Sequence, residues 1–497
     1  MQTRTTPTEG PAILWFRLDL RLADNPALHE ASQAGGGVIP VYVHAPEEEG
    51  NWAPGAASRW WLHHSLARLE ATLRERGSRL IFRRGPAAQA LTELVRETRA
   101  KAVFWSRRYE PTALRRDAEV RATLAKQGVA VRESCGSLLF EPWQWRSAVG
   151  RPFRVFRPFW INFQRLADRI DSPLPAPRRI PAPDGWPDSL RLEELSLLPN
   201  EERMGHWLQL WQPGEAGAHR ALNQFLESGL RRYGADRDRP DKPGTSKLSP
   251  HLHFGEISPR QLWNEVRSTS PGALRPGSGA AAFLRELAWR EFAHHVLYYF
   301  PEAVEEPLKP EFRTFPWSED DVRLQQWQQG QTGYPIVDAG MRELWQTGWL
   351  ANRVRMVVAS FLVKHLRIRW QKGAAWFWQT LVDADLANNT LNWQWVAGCG
   401  VDAAPYFRIF HPVKQGEKFD PNGEYVRRWI PELAGLPADW IHRPWEAPSV
   451  VLAAAGVELG TNYPRPVVEH AEARAAALRA FQAVRGSRPT SPEAWQP

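Results

Sequence analysis

Between Trp370 and Glu417, aromatic, acidic, amide and basic side chains crowd into one stretch, a mixture suited to redox chemistry on an acidic polymer. It holds Leu381-Val382-Asp383-Ala384-Asp385-Leu386-Ala387-Asn388-Asn389, then Trp393-Gln394-Trp395, then Asp402-Ala403-Ala404-Pro405-Tyr406-Phe407-Arg408-Ile409-Phe410. Carboxylates and amides among apolar residues, broken by Asn and Gly, predict a buried polar loop between helices. Buried polar groups require partners, and a large polar ligand would supply them. Asp383 and Asp385 have the spacing of a metal pair, yet no histidine or third carboxylate stands close by. Pairing with an arginine such as Arg355, or acceptance from ligand N–H groups, accounts for both, and no metal is expected.

Smaller constellations lie upstream. Over Phe283–Tyr299, Glu286, Trp289, Arg290 and Ala293 fall at i, i+3, i+4 and i+7, so an acid, an indole and a guanidinium share one helical face. An intrahelical Glu286–Arg290 ion pair beside a core Trp289 explains the same pattern. Asn352 and Met356 are one turn apart on the next helical run, with Arg353 and Arg355 alongside and Val354, Val357, Val358, Phe361 and Leu362 forming a core stripe. Met356 suits core filling, whereas Asn352 in that company suits a ligand. Thr245-Ser246-Lys247-Leu248-Ser249-Pro250 offers hydroxyls and backbone amides just ahead of a helix, either a phosphate cradle or a helix cap. His251-x-His253 lacks a third zinc ligand and reads as a pair of structural histidines. Trp317, Trp370 and Trp393 are isolated indoles at three separate places.

The elements that must position these residues divide the chain. From Ala12 to about Cys135, β-rich runs (Ile13–Phe16, Val38–Val43, Leu80–Phe82, Ala102–Trp105, Val129–Arg132) alternate with helical stretches (Pro26–Ala34, Ser58–Arg76, Ala87–Arg99, Thr112–Lys126). Strands spaced by helices predict parallel βαβ units and a doubly wound, five-stranded Rossmann-like sheet over residues 1–140. No Gly-x-Gly-x-x-Gly follows the first strand, so the dinucleotide fingerprint is absent. Residues 141–212 read as a connector, since Pro173, Pro175, Pro177, Pro181, Pro183 and Pro187 block helix and strand interiors alike. Residues 213–485 show helical periodicity almost throughout, including Phe283–Tyr299, Trp349–Trp370 and Val467–Arg485, and predict an all-α domain. Residues 486–497 read as a frayed tail.

Composition sets the bounds. At 497 residues, with 43% hydrophobic and 24% charged side chains, the chain exceeds one ordinary core and predicts two globular domains. Its start lacks an apolar leader, and runs such as Met356–Val363 are too short to span a bilayer, so a cytoplasmic protein without a membrane association is expected. Two cysteines, Cys135 and Cys399, exclude a disulfide framework or a cysteine-ligated zinc site. A formal charge of +8 favours an anionic partner. Twenty-six tryptophans exceed ordinary packing demand, although bulky core filling accounts for most of them.

Trp15-Phe16-Arg17-Leu18-Asp19-Leu20-Arg21-Leu22-Ala23-Asp24-Asn25, Thr245–Pro250, Trp289-Arg290-Glu291-Phe292, Thr332-Gly333-Tyr334-Pro335-Ile336-Val337-Asp338-Ala339 and Asp383–Arg408 together resemble the photolyase/cryptochrome flavoproteins, from about Ile13 to Leu433. The resemblance implies an α/β antenna domain and a helical domain holding FAD in a U shape. Tyr233, Thr245, Ser246, Leu248 and Ser249 would hold its phosphates, and Arg290 and Asn352 would line the flavin pocket. Asp383 and Asp385 would lie at the flavin ring and ribose, with Arg355 pairing Asp383. Asn389 matches the asparagine facing flavin N5 in repair enzymes, where plant-type cryptochromes carry aspartate.

The implied reaction is light-driven reversal of cyclobutane pyrimidine dimers in UV-damaged DNA, with an electron passing from excited reduced FAD to a flipped-out dimer and back. Glu286 would hydrogen-bond the pyrimidine edges, Trp289 and Trp395 would stack on the dimer, and Met356 would cap the pocket. Arg237, Arg353 and Arg408 would contact flanking phosphates, and Trp393, Trp370 and Trp317 resemble an electron-hopping triad to the surface. The resemblance leaves two alternatives: a cryptochrome-type receptor, against which Asn389 and the short tail argue, and a (6-4) photolyase, which His251 keeps open. A second pigment, a deazaflavin or methenyltetrahydrofolate, is implied. Trp105-Ser106-Arg107-Arg108-Tyr109-Glu110 resembles the start of a folate-antenna motif, but Thr112-Ala113 replaces the Asn-Glu pair of folate binders. A monomer without an obligate protein partner is expected.

Overall fold

The computed structural model describes residues 10–147 and 149–486. Five strands, β1 (Ala12–Phe16), β2 (Val38–His44), β3 (Ile81–Arg84), β4 (Ala102–Ser106) and β5 (Ala130–Ser134), form one parallel sheet in the order β3-β2-β1-β4-β5. Every residue of β1 is buried, as a central strand covered on both faces requires. Its side chains alternate between two cores. Ala12, Leu14 and Phe16 join the large core that continues into the helical lobe, while Ile13 and Trp15 join a smaller one with Leu91, Leu94, Val120 and Leu124 of the sheet's own helices. The order of strand addition reverses between β1 and β4, which stay parallel, so the carboxyl ends of β1 and β2 open onto a cleft beside the switch point.

The residues just after β1 lock the sheet to the helices. Leu20 N–H donates to Phe254 O (3.1 Å), the Arg21 guanidinium donates to Gly255 O (2.9 Å), and Asp24 pairs with Arg260 (3.0 Å). Leu22 and Ala23 N–H both donate to the Glu215 carboxylate at 3.0 Å. Backbone amides spent on carboxylates across the interface fix orientation more tightly than apolar contact alone, because each bond is directional and charge-assisted.

Three expectations change. The connector is not irregular throughout: the prolines act from Pro173 onward, but ahead of them Phe156–Leu166 is a helix burying Phe156, Phe159 and Phe163. The run Trp349–Trp370 is not one helix. Asn352–Ser360 is α-helical, Phe361–His365 forms a π turn, Arg367 takes a left-handed conformation (φ 53°), and a new helix begins at Trp370. The loop from Leu381 ends at Asp385, whose side chain accepts from Asn388 N–H (2.8 Å) and caps the helix Leu386–Ala397, so Asn388 and Asn389 are helical. The C-terminal helix runs His470–Gly486, and the tail expected over 486–497 lies, beyond Gly486, outside the described residues. Among the described residues, no helix is long and apolar enough to cross a membrane, and no group of three or more His, Cys, Asp or Glu could hold a metal ion.

Candidate active site

Four helical segments converge on the Asp383–Asn389 turn. Arg355, in the Asn352–Ser360 helix, donates from Nη2 to Asp383 Oδ2 (2.7 Å) and from Nε to Leu350 O (2.8 Å), which aims the guanidinium along the carboxylate. Asp383 is 7% exposed, and its second oxygen, Oδ1, is buried without a hydrogen-bond partner. Asp385 faces His294 (3.5 Å) and His253 (3.9 Å). Burial works to raise its carboxyl, but His294, His253 and Arg290 outweigh it and hold Asp385 ionised well below the ordinary carboxylate range. Asn389 donates from Nδ2 to Ala374 O (3.1 Å), which turns its amide oxygen away from the neighbouring helix. The Trp370–Thr380 and Leu386–Ala397 helices approach closely because Gly373 has no side chain: a Cβ there would lie 2.1 Å from the Trp393 ring.

Arg290 is not paired with Glu286. Its Nη1 donates to Ser137 O (2.7 Å), and the neighbouring Glu291 accepts from Leu139 N–H (2.9 Å), so this helix, Gly279–Tyr299, is fastened to the end of the α/β lobe. Glu286 instead forms a short ion pair with Arg237, whose pKa, lowered by burial, is carried above the ordinary value by Glu286. Arg353 pairs with Asp238 (2.7 Å) and lies over the Phe419 ring (4.5 Å). Trp289 stacks on Phe156 with ring centroids 3.6 Å apart and planes 9° apart. Met356 and Trp395 are half-buried, Arg408 and Asn352 exposed.

The phosphate-cradle stretch is held open by Lys247 in a left-handed conformation (φ 52°). Ser249 Oγ accepts from Trp349 Nε1 (3.1 Å), Leu248 is buried, and the Thr245 and Ser246 hydroxyls lie at the same turn. Tyr233 packs edge-on against Phe225 and Phe283. His251 is structural, bonded to Glu256, which also accepts from Trp61 Nε1 (2.9 Å); His253 faces Asp385 and is part of the site. Trp393 and Trp370 are buried on adjacent helices, and half-buried Trp317 precedes Ser318, whose N–H donates to Arg367 O (2.7 Å) just before Trp370.

The family model of DNA photolyase matches residues 12–178, and that of the FAD binding domain of DNA photolyase matches residues 283–483. A deoxyribodipyrimidine photo-lyase of Agrobacterium fabrum is 47% identical over 477 residues, covering 96% of this chain and 98% of the relative. The chain belongs to the photolyase/cryptochrome family. Cryptochrome-1 of Arabidopsis thaliana is 44% identical over 94% of this chain and 69% of its own length. The crystal structure of a bacterial class III photolyase from Agrobacterium tumefaciens superposes with a TM-score of 0.92 at 46% identity, covering 98% of this chain and all of that one.

The residues present fit the flavin cofactor of this family. Asp383 Oδ1 is an orphaned buried acceptor in the Asp383–Asp385 turn and calls for a polar partner from a ligand, while His253 turns its Nδ1 toward Asp385. Sequence reasoning missed Phe156, Asp238, Gly373 and His253 as parts of this neighbourhood. Phe156, Phe159 and Phe163 at i, i+3 and i+7 carried a helix signal, but their partner lies more than a hundred residues away and no local pattern names it.

Proposed function

We propose that this chain is a light-driven carbon–carbon lyase that reverses cyclobutane pyrimidine dimers in DNA, using FAD. The observation that carries the reading is the pairing of two features: an acid with a stacked indole, Glu286 and Trp289, on the Gly279–Tyr299 helix, and an amide rather than a carboxyl at Asn389 on the Leu386–Ala397 helix packed against it. When bound and reduced, the flavin supplies a photoexcited electron to the dimer and recovers it after the ring opens. The chain's own residues bind, orient and exclude water.

In this reading Asp383, fixed by Arg355, accepts from the flavin ring through Oδ1, and Asp385 accepts at the ribose. Tyr233, Thr245, Ser246, Leu248 and Ser249 hold the phosphates, while Arg290 and Asn352 line the flavin. Asn389 presents an acceptor oxygen that has no proton to give, which favours retention of the anionic reduced cofactor. Glu286 accepts from the pyrimidine edge once Arg237 turns to a backbone phosphate. Trp289, backed by Phe156, and Trp395 stack on the extruded pyrimidines, and Met356 closes the pocket. Trp393, Trp370 and Trp317 carry the electron that reduces the flavin from the surface.

Residues 1–140 form the antenna domain, 141–212 the connector and 213–485 the catalytic domain of a cytoplasmic monomer acting without an obligate protein partner. The cleft at the carboxyl ends of β1 and β2, lined by Tyr42, His44, Trp52, Arg108 and Trp378, is the seat for a second chromophore. A Sulfolobus tokodaii photolyase, 29% identical with a TM-score of 0.80, holds two FAD molecules. The cryptochrome reading rests on the Arabidopsis similarity, and Asn389 weighs against it.

The test is incubation of purified protein with dimer-containing DNA under blue light and reductant. Restored thymine absorbance supports repair; tight binding without reversal rejects it.

A further inference from the structure

The loop that follows the Trp395 helix ties the two proposed stacking indoles to each other. Gly398 ends that helix in a left-handed turn (φ 85°), and Gly398 and Ala404 N–H both donate to Trp395 O at 3.2 Å, so the loop closes back on the indole's own backbone. At its tip Asp402 takes a left-handed conformation (φ 48°), which costs a side-chain-bearing residue conformational energy but which Asp and Asn tolerate best. That conformation carries the carboxylate to Phe156 N–H, with Oδ2 accepting at 3.1 Å across 246 positions of sequence. Phe156 is the ring stacked under Trp289, and Phe153 N–H on the same segment is held separately by His295 Nε2 (2.9 Å).

We infer that Asp402 is a positioning residue for lesion recognition: by fastening Phe156 to the loop anchored on Trp395, it sets the tilt of Trp289 relative to Trp395. The inference rests on the proposed role of those two tryptophans. An extruded dimer fits between two indoles only at the spacing and tilt in which they are held, so a plate held at one point instead of two accepts the dimer less well, while the chemistry within a bound complex is untouched. His295 continues to hold the segment, so loss of the Asp402 bond re-aims Phe156 without unfolding the connector helix.

Three variants separate the bond from the backbone. Asp402→Asn keeps an acceptor and tolerates the left-handed conformation; Asp402→Gly keeps the conformation and loses the acceptor. Phe156→Leu keeps apolar volume and removes the aromatic plate. The measurements are affinity for dimer-containing and undamaged DNA, and repair per absorbed photon at saturating DNA, on FAD-loaded protein. Asp402→Gly and Phe156→Leu are expected to weaken lesion binding about 5- to 20-fold; in Asp402→Gly the affinity for undamaged DNA and the photon yield stay within about twofold of the parent, and Asp402→Asn stays close to the parent throughout. Lesion affinity unchanged in Asp402→Gly overturns the inference, as does Asp402→Asn matching Asp402→Gly, or equal weakening toward undamaged DNA. A parent protein without any preference for dimer-containing DNA would instead reject the functional reading on which the inference stands.

Discussion

At the scale of single residues, the candidate site is built from side chains whose freedom has been removed by a specific bond or by packing. Arg355 is fixed by Leu350 O before it meets Asp383, and Asn389 is fixed by Ala374 O before it meets any ligand. Trp393 is fixed by packing: it is 2% exposed and meets Phe377 edge-on with centroids 5.1 Å apart. Phenylalanine there would keep most of the shape but lose the low oxidation potential of indole. Trp393→Phe is therefore expected to abolish flavin photoreduction, read as persistence of the oxidised absorption spectrum under blue light, while dimer repair after chemical reduction stays near the parent level. Unchanged photoreduction would remove Trp393 from the electron path.

At the scale of elements, the close approach of the Trp370 and Trp393 helices depends on Gly373. Gly373→Ala puts a methyl 2.1 Å from a ring edge, and overpacking of that kind costs about 1–3 kcal/mol, so a lowered melting temperature and lost flavin on purification are expected. The π turn Phe361–His365 has a second consequence, because it buries His365 against His470 of the C-terminal helix (2.8 Å), and His470 stacks on His411 (3.9 Å). Burial, then the neighbouring His470 and His411, pushes His365 down to about 3; burial, then His411, pushes His470 down to about 4. With folded-state values below the unfolded one near 6.5, the unfolded chain binds more protons between about pH 4 and 6.5, and stability falls as pH drops through that window. A thermal melt series from pH 7.5 to 4.5 on parent and His470→Gln, which cannot titrate, should show a shallower loss in the variant. His64 and His295, pushed down to about 4 by burial, add to the loss in both, and Glu291 and Glu343, pushed up to about 7, oppose it. An identical pH dependence in the two proteins would move the origin away from the His365–His470 pair.

The parallel sheet was readable in the sequence because its central strands, β1, β2 and β4, are buried on both faces and appear as apolar runs at regular spacing. The Asp383–Asn389 chemistry was readable because polar residues stand out in apolar surroundings. The break after Ser360 was not readable, since the residues on both sides keep a helical period and only the inserted π turn changes the phase. Nor could periodicity show that Glu286 and Arg290, one turn apart, turn to Arg237 and Ser137, because tertiary partners displaced the local pair.

At the scale of the whole molecule, the +8 charge is not spread as free cations around the site. Arg237 and Arg353 hold Glu286 and Asp238, so contact with a phosphate requires an exchange of partners, whereas exposed Arg408 can add a contact outright. DNA affinity should therefore fall with salt. Arg408→Ala should reduce the slope of log affinity against log salt by about 1, more than either Arg237→Ala or Arg353→Ala does. Titration of labelled dimer-containing duplex at several salt concentrations gives these slopes directly, and an unchanged slope for Arg408→Ala would place that residue away from the duplex.

The plate beneath Trp289 belongs to the link between the lobes, and the carbonyl that Arg290 grips belongs to the end of the α/β lobe. Gene fragments cut at residue 212 would thus yield a helical half with one indole face bare to solvent and a guanidinium searching for water. Swapping α/β lobes between relatives would preserve both contacts only if the junction were moved upstream of Ser137, so that the stacked ring and the carbonyl travel with the helix that carries Trp289 and Arg290.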